Sequence, residues 1–238
     1  MEIKRFYGRM LSPDKIVIEG DQFYHLHKVL RYKVGYEAIA CTGDGCEYAC
    51  ILDEISDNTA VMRVTGKRQC EGDPAFPLRL FQSQPKSAKA DIIVQKAVEL
   101  GVSEIIFFSS AYSSSEKFNQ SRLERIAMEA CKQCGRSKLI DISYADGFEN
   151  MLNMCTANTV IMPYERAAGG NMRAALDGTD GSVDIIIGSE GGFSEAEAGL
   201  AESAGIKLVS LGKRVLRCET AVIASLALVQ YERGQLGR

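Results

Sequence analysis

Residues 183–226 read VDIIIGSEGGFSEAEAGLAESAG and then IKLVSLGKRVLRCETAVIASL, and this stretch decides the fold. Two short apolar strands, over 184–187 and 207–211, each run straight into a loop that holds glycine. Each loop then opens a helix with a carboxylate near its start. The two strands read as neighbours in one sheet, and their loops as cradles at its carboxyl edge, where open α/β sheets bind ligands. Ser194 followed by Glu197 is a capping-box pattern that fixes where the first helix begins. Gly188, Gly191 and Gly192 let main chain come close to a ligand.

The same residues argue against several chemistries. No Gly-Lys-Ser/Thr follows the glycines and their spacing misses the dinucleotide fingerprint, so this is neither kind of phosphate loop. Ser189 lies outside a Gly-x-Ser-x-Gly elbow, and both histidines of the chain, His25 and His27, are far upstream. Ser189 and Cys218 therefore lack the base that a nucleophile needs.

Working outward, residues 72–238 alternate strand and helix, the pattern of a sheet covered on both faces. LRLFQS, EIIFFSS, KLIDISY and NTVIMPYE read as strands, with amphipathic helices at AKADIIVQKAVELGV and SRLERIAMEACKQCGR. A third strand-end loop, IMPYERAAGG, follows NTVIMPYE. The segment EGDPAFPLR, with two prolines and a glycine, marks a boundary between residues 1–71 and the rest. Before it, IVIEG, EAIACTG, CEYACILDEI and TAVMRVTGKR are short, β-branched runs parted by turns, as in a small barrel. One helix interrupts them at DQFYHLHKVLRYKVG, with Asp21 as its N-cap and Phe23, Leu26, Val29 and Leu30 on one face. Its other face carries Lys28, Arg31 and Lys33, interleaved with His25, His27 and Tyr32, a mixture suited to phosphates and bases.

Composition narrows the field. With 238 residues, 46% hydrophobic and 25% charged, the chain is of ordinary globular make-up, and its net charge of −3 confines any nucleic-acid contact to a local patch. No apolar run is long enough to span a bilayer and the start lacks a secretory core, which places the protein in the cytoplasm. The eight cysteines are scattered rather than framed as disulfides. Cys131 and Cys134 form a C-x2-C pair without a second pair, so no metal is expected.

IGSEGGFSEAE followed by LGKRVLRCETAVIASLALVQ resembles the hallmark motifs of the bacterial 16S ribosomal RNA uracil-N3 methyltransferase family, within the SPOUT superfamily of knotted methyltransferases. The likeness continues in QKAVELGVSEI, EACKQCGR and HLHKVLRYKVG and so covers nearly the whole chain. It implies an N-terminal PUA-like β-barrel for RNA and a C-terminal SPOUT α/β domain tied in a trefoil knot. It further implies a homodimer that uses S-adenosylmethionine on 16S ribosomal RNA or the assembled small subunit. Carried over residue by residue, the cofactor site comprises Met162, then Gly188, Glu190, Gly191 and Gly192, then Leu211, Gly212, Val215 and Leu216. Family members commonly carry a proline where this chain has Ser189, a change expected to loosen the loop, and an arginine near Tyr112.

Uracil N3 bears a proton at neutral pH, so methylation there calls for a base or a cation that stabilises the anion. Arg217 and Glu219, at the start of the last helix, are the candidates for these roles. Arg5, Arg31, Lys33 and Arg136 are the candidates for RNA contact, and Arg5 and Arg31 match basic positions of the family. ETAVIASLALVQYERG is apolar nearly all round and needs cover on more than one side, which a dimer supplies. Two readings compete: a methyltransferase of the same superfamily acting on ribose 2′-hydroxyl, and an RNA-binding protein without activity.

Overall fold

The structure, a computed structural model, describes residues 3–167 and 169–237. It divides into two compact units. One comprises the residues up to Asp73 together with Cys131–Leu139, and the other comprises Pro74–Ala130 and the chain from Ile140 onward. The second segment of the first unit departs from a division at residues 71/72, and its cause is local. Asp73 accepts hydrogen bonds from the Ser137 and Lys138 backbone N–H groups at 2.9 and 3.0 Å and from the Ser137 hydroxyl at 2.5 Å. The Tyr7 hydroxyl donates to the Arg136 carbonyl at 2.7 Å, and a side chain at Gly72 would strike the Gly135 carbonyl at 2.4 Å.

The first unit is a half-barrel of six strands: β1 (Lys4–Tyr7), β2 (Arg9–Ser12), β3 (Lys15–Glu19), β4 (Glu37–Cys41), β5 (Cys46–Ile55) and β6 (Thr59–Gln69). Their order is β1-β4-β5-β6-β3-β2, antiparallel throughout except for β1 beside β4. Phe6, Ile16, Ile18, Leu52 and Met62 fill its core. The helical insert starts as α1 (Gly20–Tyr24) and continues as a π-helix over His25–Val29.

That widening overturns the simple helical face. Leu30 N–H reaches back five residues to the His25 carbonyl, so Phe23 and Leu26 are buried while Val29 turns outward at 55% exposure. The N-cap is Glu19 rather than Asp21, which falls within the first turn. Nor do all the rings join the basic face. Tyr32 is buried against Phe6 and Tyr36, and His27 stacks on Phe23.

The second unit holds β7 (Leu78–Ser83), β8 (Glu104–Phe108), β9 (Asp141–Ala145), β10 (Thr159–Pro163), β11 (Val183–Ile187) and β12 (Lys207–Val209). All neighbours are parallel, in the order β12-β10-β11-β7-β8-β9. β11 and β12 are therefore not adjacent: β10 lies between them. Every residue of β11 is buried, as a strand covered on both faces demands. Its one charge, Asp184, is matched by Arg79 at 2.8 and 2.6 Å and by two backbone N–H groups. The helices are α2 (Ser87–Glu99), α3 (Gln120–Cys134), α4 (Phe148–Met154), α5 (Met172–Leu176), α6 (Glu195–Ser203) and α7 (Cys218–Glu232). α7 packs on β11, α2 and α5, while α4 and α6 place Phe148, Met151, Ala198 and Ala201 in a core with Phe81 and Ile186. Among the described residues, no helix is long and apolar enough to cross a membrane.

Candidate functional site

Because β10 separates β12 from β11, three loops emerge side by side at one edge of the second unit. The loop after β10 is fastened to β12 and its extension. Tyr164 N–H donates to the Val209 carbonyl, and Ser210 N–H to the Gly170 carbonyl, both at 2.9 Å. Gly170 is required here, since a Cβ would lie 2.5 Å from the Leu208 carbonyl oxygen.

The loop after β11 is a tight reversal. Gly192, at φ +69°, donates its N–H to the Ser189 carbonyl at 3.0 Å. Gln82 Nε2 donates to the Gly188 carbonyl at 3.1 Å. Ser189 does not loosen this loop, because its hydroxyl donates to the Tyr112 carbonyl at 2.5 Å. A Cβ on Gly191 would meet the Tyr112 Cβ at 2.6 Å. Ser189 and Tyr112, the two positions expected to depart from the family pattern, thus touch one another. The loop leaves into α6 through a complete capping box, in which Glu197 also accepts the Ala111 N–H at 2.8 Å.

The loop between β12 and α7 is open by comparison. Gly212 sits at φ +118° and Val215 is 87% exposed. Its residues Leu211, Val215 and Leu216 line a hollow with Pro163, Tyr164 and Glu165, and Gly212 borders it. The glycine loop reaches the same place, since a Cβ on Gly192 would lie 3.5 Å from the Glu165 carboxylate.

Of the residues expected to bind a ligand, Leu211, Gly212, Val215 and Leu216 are thus gathered around one hollow, with Gly192 beside it. Met162 is fully buried in the core, which leaves only its main chain for a ligand. The Glu190 carboxylate is engaged elsewhere, by the Lys86 backbone N–H at 3.4 Å and Lys89 Nζ at 3.2 Å. Tyr164 and Glu165 fall within the third strand-end loop, over 162–165, that the resemblance brings to the cofactor, and both line the hollow.

The start of α7 carries the two candidate catalytic groups. Arg217 is the exposed N-cap of α7, and its side chain makes no capping bond. Glu219 lies in the first turn, 3.6 Å from Lys89 Nζ, and accepts from the Cys218 thiol at 3.2 Å. Burial opposes ionisation of Glu219, but its own backbone N–H, Cys218 and Lys89 outweigh that and hold its pKa below the usual carboxylate value. Burial, together with Glu219, pushes the Cys218 thiol up to about 12. Lys89 comes from α2, far upstream in the chain, and no motif announces it.

The four basic residues expected to contact RNA separate into two pairs. Arg31, at φ +54°, and Lys33 are exposed, and Tyr24 at the end of α1 is 62% exposed. Arg5 is turned inward, its guanidinium 2.5 Å from Glu47 and its side chain 12% exposed. Arg136 is 3% exposed. Burial withdraws both guanidinium groups from an RNA surface and makes them parts of the unit's interior.

Residues 72–230 match the family of the RNA methyltransferase domain. The chain is 28% identical over 229 residues to ribosomal RNA small subunit methyltransferase E of Bacillus subtilis, covering 90% of this chain and 89% of that one. It is 33% identical over 178 residues to the protein of that name from Mesomycoplasma hyopneumoniae, covering 72% and 77% respectively. Among solved structures, a ribosomal RNA small subunit methyltransferase E from Neisseria gonorrhoeae, bound to S-adenosyl methionine, aligns with a TM-score of 0.86 at 25% identity. That alignment covers 97% of this chain and 98% of the other.

Proposed function

This chain belongs to the RNA methyltransferase domain family, among the ribosomal RNA small subunit methyltransferase E proteins, and on that premise we propose that it methylates N3 of a uridine in 16S ribosomal RNA. It is an S-adenosylmethionine-dependent methyltransferase of small-subunit ribosomal RNA. The observation that carries the finer reading is the hollow lined by the loops after β10 and β12, with Gly192 of the third loop beside it and Arg217 and Glu219 at the start of the α7 that follows.

The hollow suits the cofactor. Tyr164, Leu211, Val215 and Leu216 offer apolar walls to an adenine ring, and the glycine-rich turns let main chain approach its polar edge. An exposed valine on such a loop is an apolar side chain in want of cover. When bound, S-adenosylmethionine supplies an electrophilic methyl group on a sulfonium. The chain's own residues handle the uracil. Arg217, at the positive end of α7, stabilises the negative charge that N3 and O4 acquire as the N3 proton passes to solvent water. Glu219 is ionised at neutral pH and a weak base, which favours a role in holding the entrance to α7 over one as proton acceptor. The chemistry needs no metal.

N3 lies on the pairing edge, so the target base must be unpaired or flipped out, with its neighbours held by the protein. Arg31 and Lys33 are the exposed cations proposed for this in the first unit, whose PUA-like character belongs to the same proposal. The trefoil knot does too: β12 lies at the sheet edge, yet α7 returns to pack on β11. Ile223, Leu228 and Tyr231 of α7 are 36%, 40% and 61% exposed, an apolar surface that supports a homodimer. A cytoplasmic site of action follows from the ribosomal substrate.

Mass spectrometry of 16S ribosomal RNA nucleosides from a strain lacking this protein tests the reading. Loss of N3-methyluridine, with disappearance of a reverse-transcription stop, is the expected result. Loss of a 2′-O-methyl nucleoside instead, or no loss, overturns it. Glu219→Gln at saturating cofactor separates the two roles of the carboxylate: a base role predicts a collapse of turnover, a holding role a modest fall.

A further inference from the structure

We propose that Lys89 is a positioning residue that clamps the glycine loop to the start of α7 by neutralising two carboxylates that face each other, and so sets the width of the cofactor pocket. The identity of the ligand rests on the functional reading above, whereas the clamp itself is independent of it. Lys89 Nζ lies 3.2 Å from Glu190 Oε1 and 3.6 Å from Glu219 Oε2. Glu190 stands in the loop after β11 and Glu219 in the first turn of α7, so one ammonium joins that loop to the helix that follows β12. The three side chains are 26%, 29% and 18% exposed, shielded enough for their charges to be felt beyond those of surface pairs.

The groups that face this cluster are Lys89 and the Lys86 N–H from the start of α2, Glu190 from the loop, and Glu219 and Cys218 from α7. Cys218 stays a neutral thiol through the neutral range. Two negative charges therefore share one positive charge. Removal of the ammonium leaves two carboxylates that repel, and the glycine loop and the start of α7 move apart. For Glu190, burial opposes ionisation, but its own N–H, Lys89 and the Lys86 N–H outweigh it and lower its pKa, as for Glu219. Burial likewise opposes the charge on Lys89, but Glu190, Cys218 and Glu219 outweigh it and raise its pKa. The clamp is thus complete at neutral pH. It is lost as pH falls through the lowered carboxylate values, and as pH rises through the raised lysine value.

The test compares full-length wild type, Lys89→Met, Lys89→Arg and Lys89→Met/Glu190→Gln. Calorimetric titration with S-adenosylmethionine and thermal melting of the ligand-free protein are both run from pH 5 to pH 8. Lys89→Met is expected to bind about tenfold more weakly at pH 8, the effect of one pK unit of lost charge interaction. That deficit should shrink towards pH 5, where a proton shared by the carboxylates relieves their repulsion. Lys89→Arg should stay near wild type, and the double variant should recover most of the loss. Melting temperatures should follow the same order. A deficit that is equal at both pH values and untouched by Glu190→Gln overturns the proposal, as does unaltered binding and melting in Lys89→Met. If wild type itself does not bind the cofactor, the functional reading fails, while the order of the melting temperatures still decides the clamp.

Discussion

The glycine loop after β11 lies beside the hollow that the loop from β12 into α7 lines, yet the two are built in opposite ways. The first is fastened along its length: Gln82 to Gly188, Ser189 to Tyr112, Gly192 to Ser189, and Glu190 to Lys86 and Lys89. The second carries a glycine at φ +118° and a valine 87% exposed, with Ser210 and Gly212 bonded mainly to each other. A fixed floor and an adjustable wall suit a ligand that must enter, be covered and leave. The floor's residues are needed for stability and the wall's for affinity, and that division can be tested residue by residue.

The largest effect is expected at Gly191. A Cβ there would lie 2.6 Å from the Tyr112 Cβ and 3.1 Å from its ring, so Gly191→Val must displace the floor or the tyrosine. We expect a loss of about 2–3 kcal/mol in stability from overpacking, read by denaturant unfolding. Methyl transfer should fall about a hundredfold, since a shift of about 1 Å at a reacting centre has that cost. Unchanged activity would mean that the floor is not fixed. Glu197→Ala comes next. It removes one partner from Ser194, at its N–H and hydroxyl, and from the Ala111 N–H, within a residue 7% exposed. About 2 kcal/mol of stability should go, in the range of a lost cap and a buried donor left unpaired, with little change in affinity per folded molecule.

Much of this contrast was legible in the sequence. The strands and helices of the second unit follow from apolar runs, and the start of α6 from the Ser194–Glu197 spacing, because those signals act between residues a few positions apart. What could not be read acts across the chain. Parallel strand order has no local code, so β11 and β12 looked adjacent until β10 appeared between them. Arg5 looked available because its partner, Glu47, is 42 residues away. Lys89 gave no signal in the sequence because both of its carboxylates come from the last quarter of the chain. Val29 looked buried because a π-helix, invisible to a 3.6-residue period, moved it out.

The two smallest effects bear most directly on the comparison. Val215→Asp should leave unfolding within about 0.5 kcal/mol of wild type, as for an exposed surface change, while cofactor binding weakens about tenfold, the scale of one valine's burial. A matching loss of stability would show that the wall is packed before the ligand arrives. Ser189→Ala is the counterpart on the floor. It deletes the 2.5 Å bond from the hydroxyl to the Tyr112 carbonyl but leaves the contacts of Gly188, Glu190 and Gly192 in place. With the other fastenings intact, we expect about 1 kcal/mol of lost stability, the net worth of one hydrogen bond, and a cofactor affinity changed about twofold or less. The serine then fastens its loop by bonding to the neighbouring loop instead of by stiffening its own backbone. If Ser189→Ala weakens binding more than Val215→Asp does, the floor hangs on that one bond and the roles of the two loops are reversed.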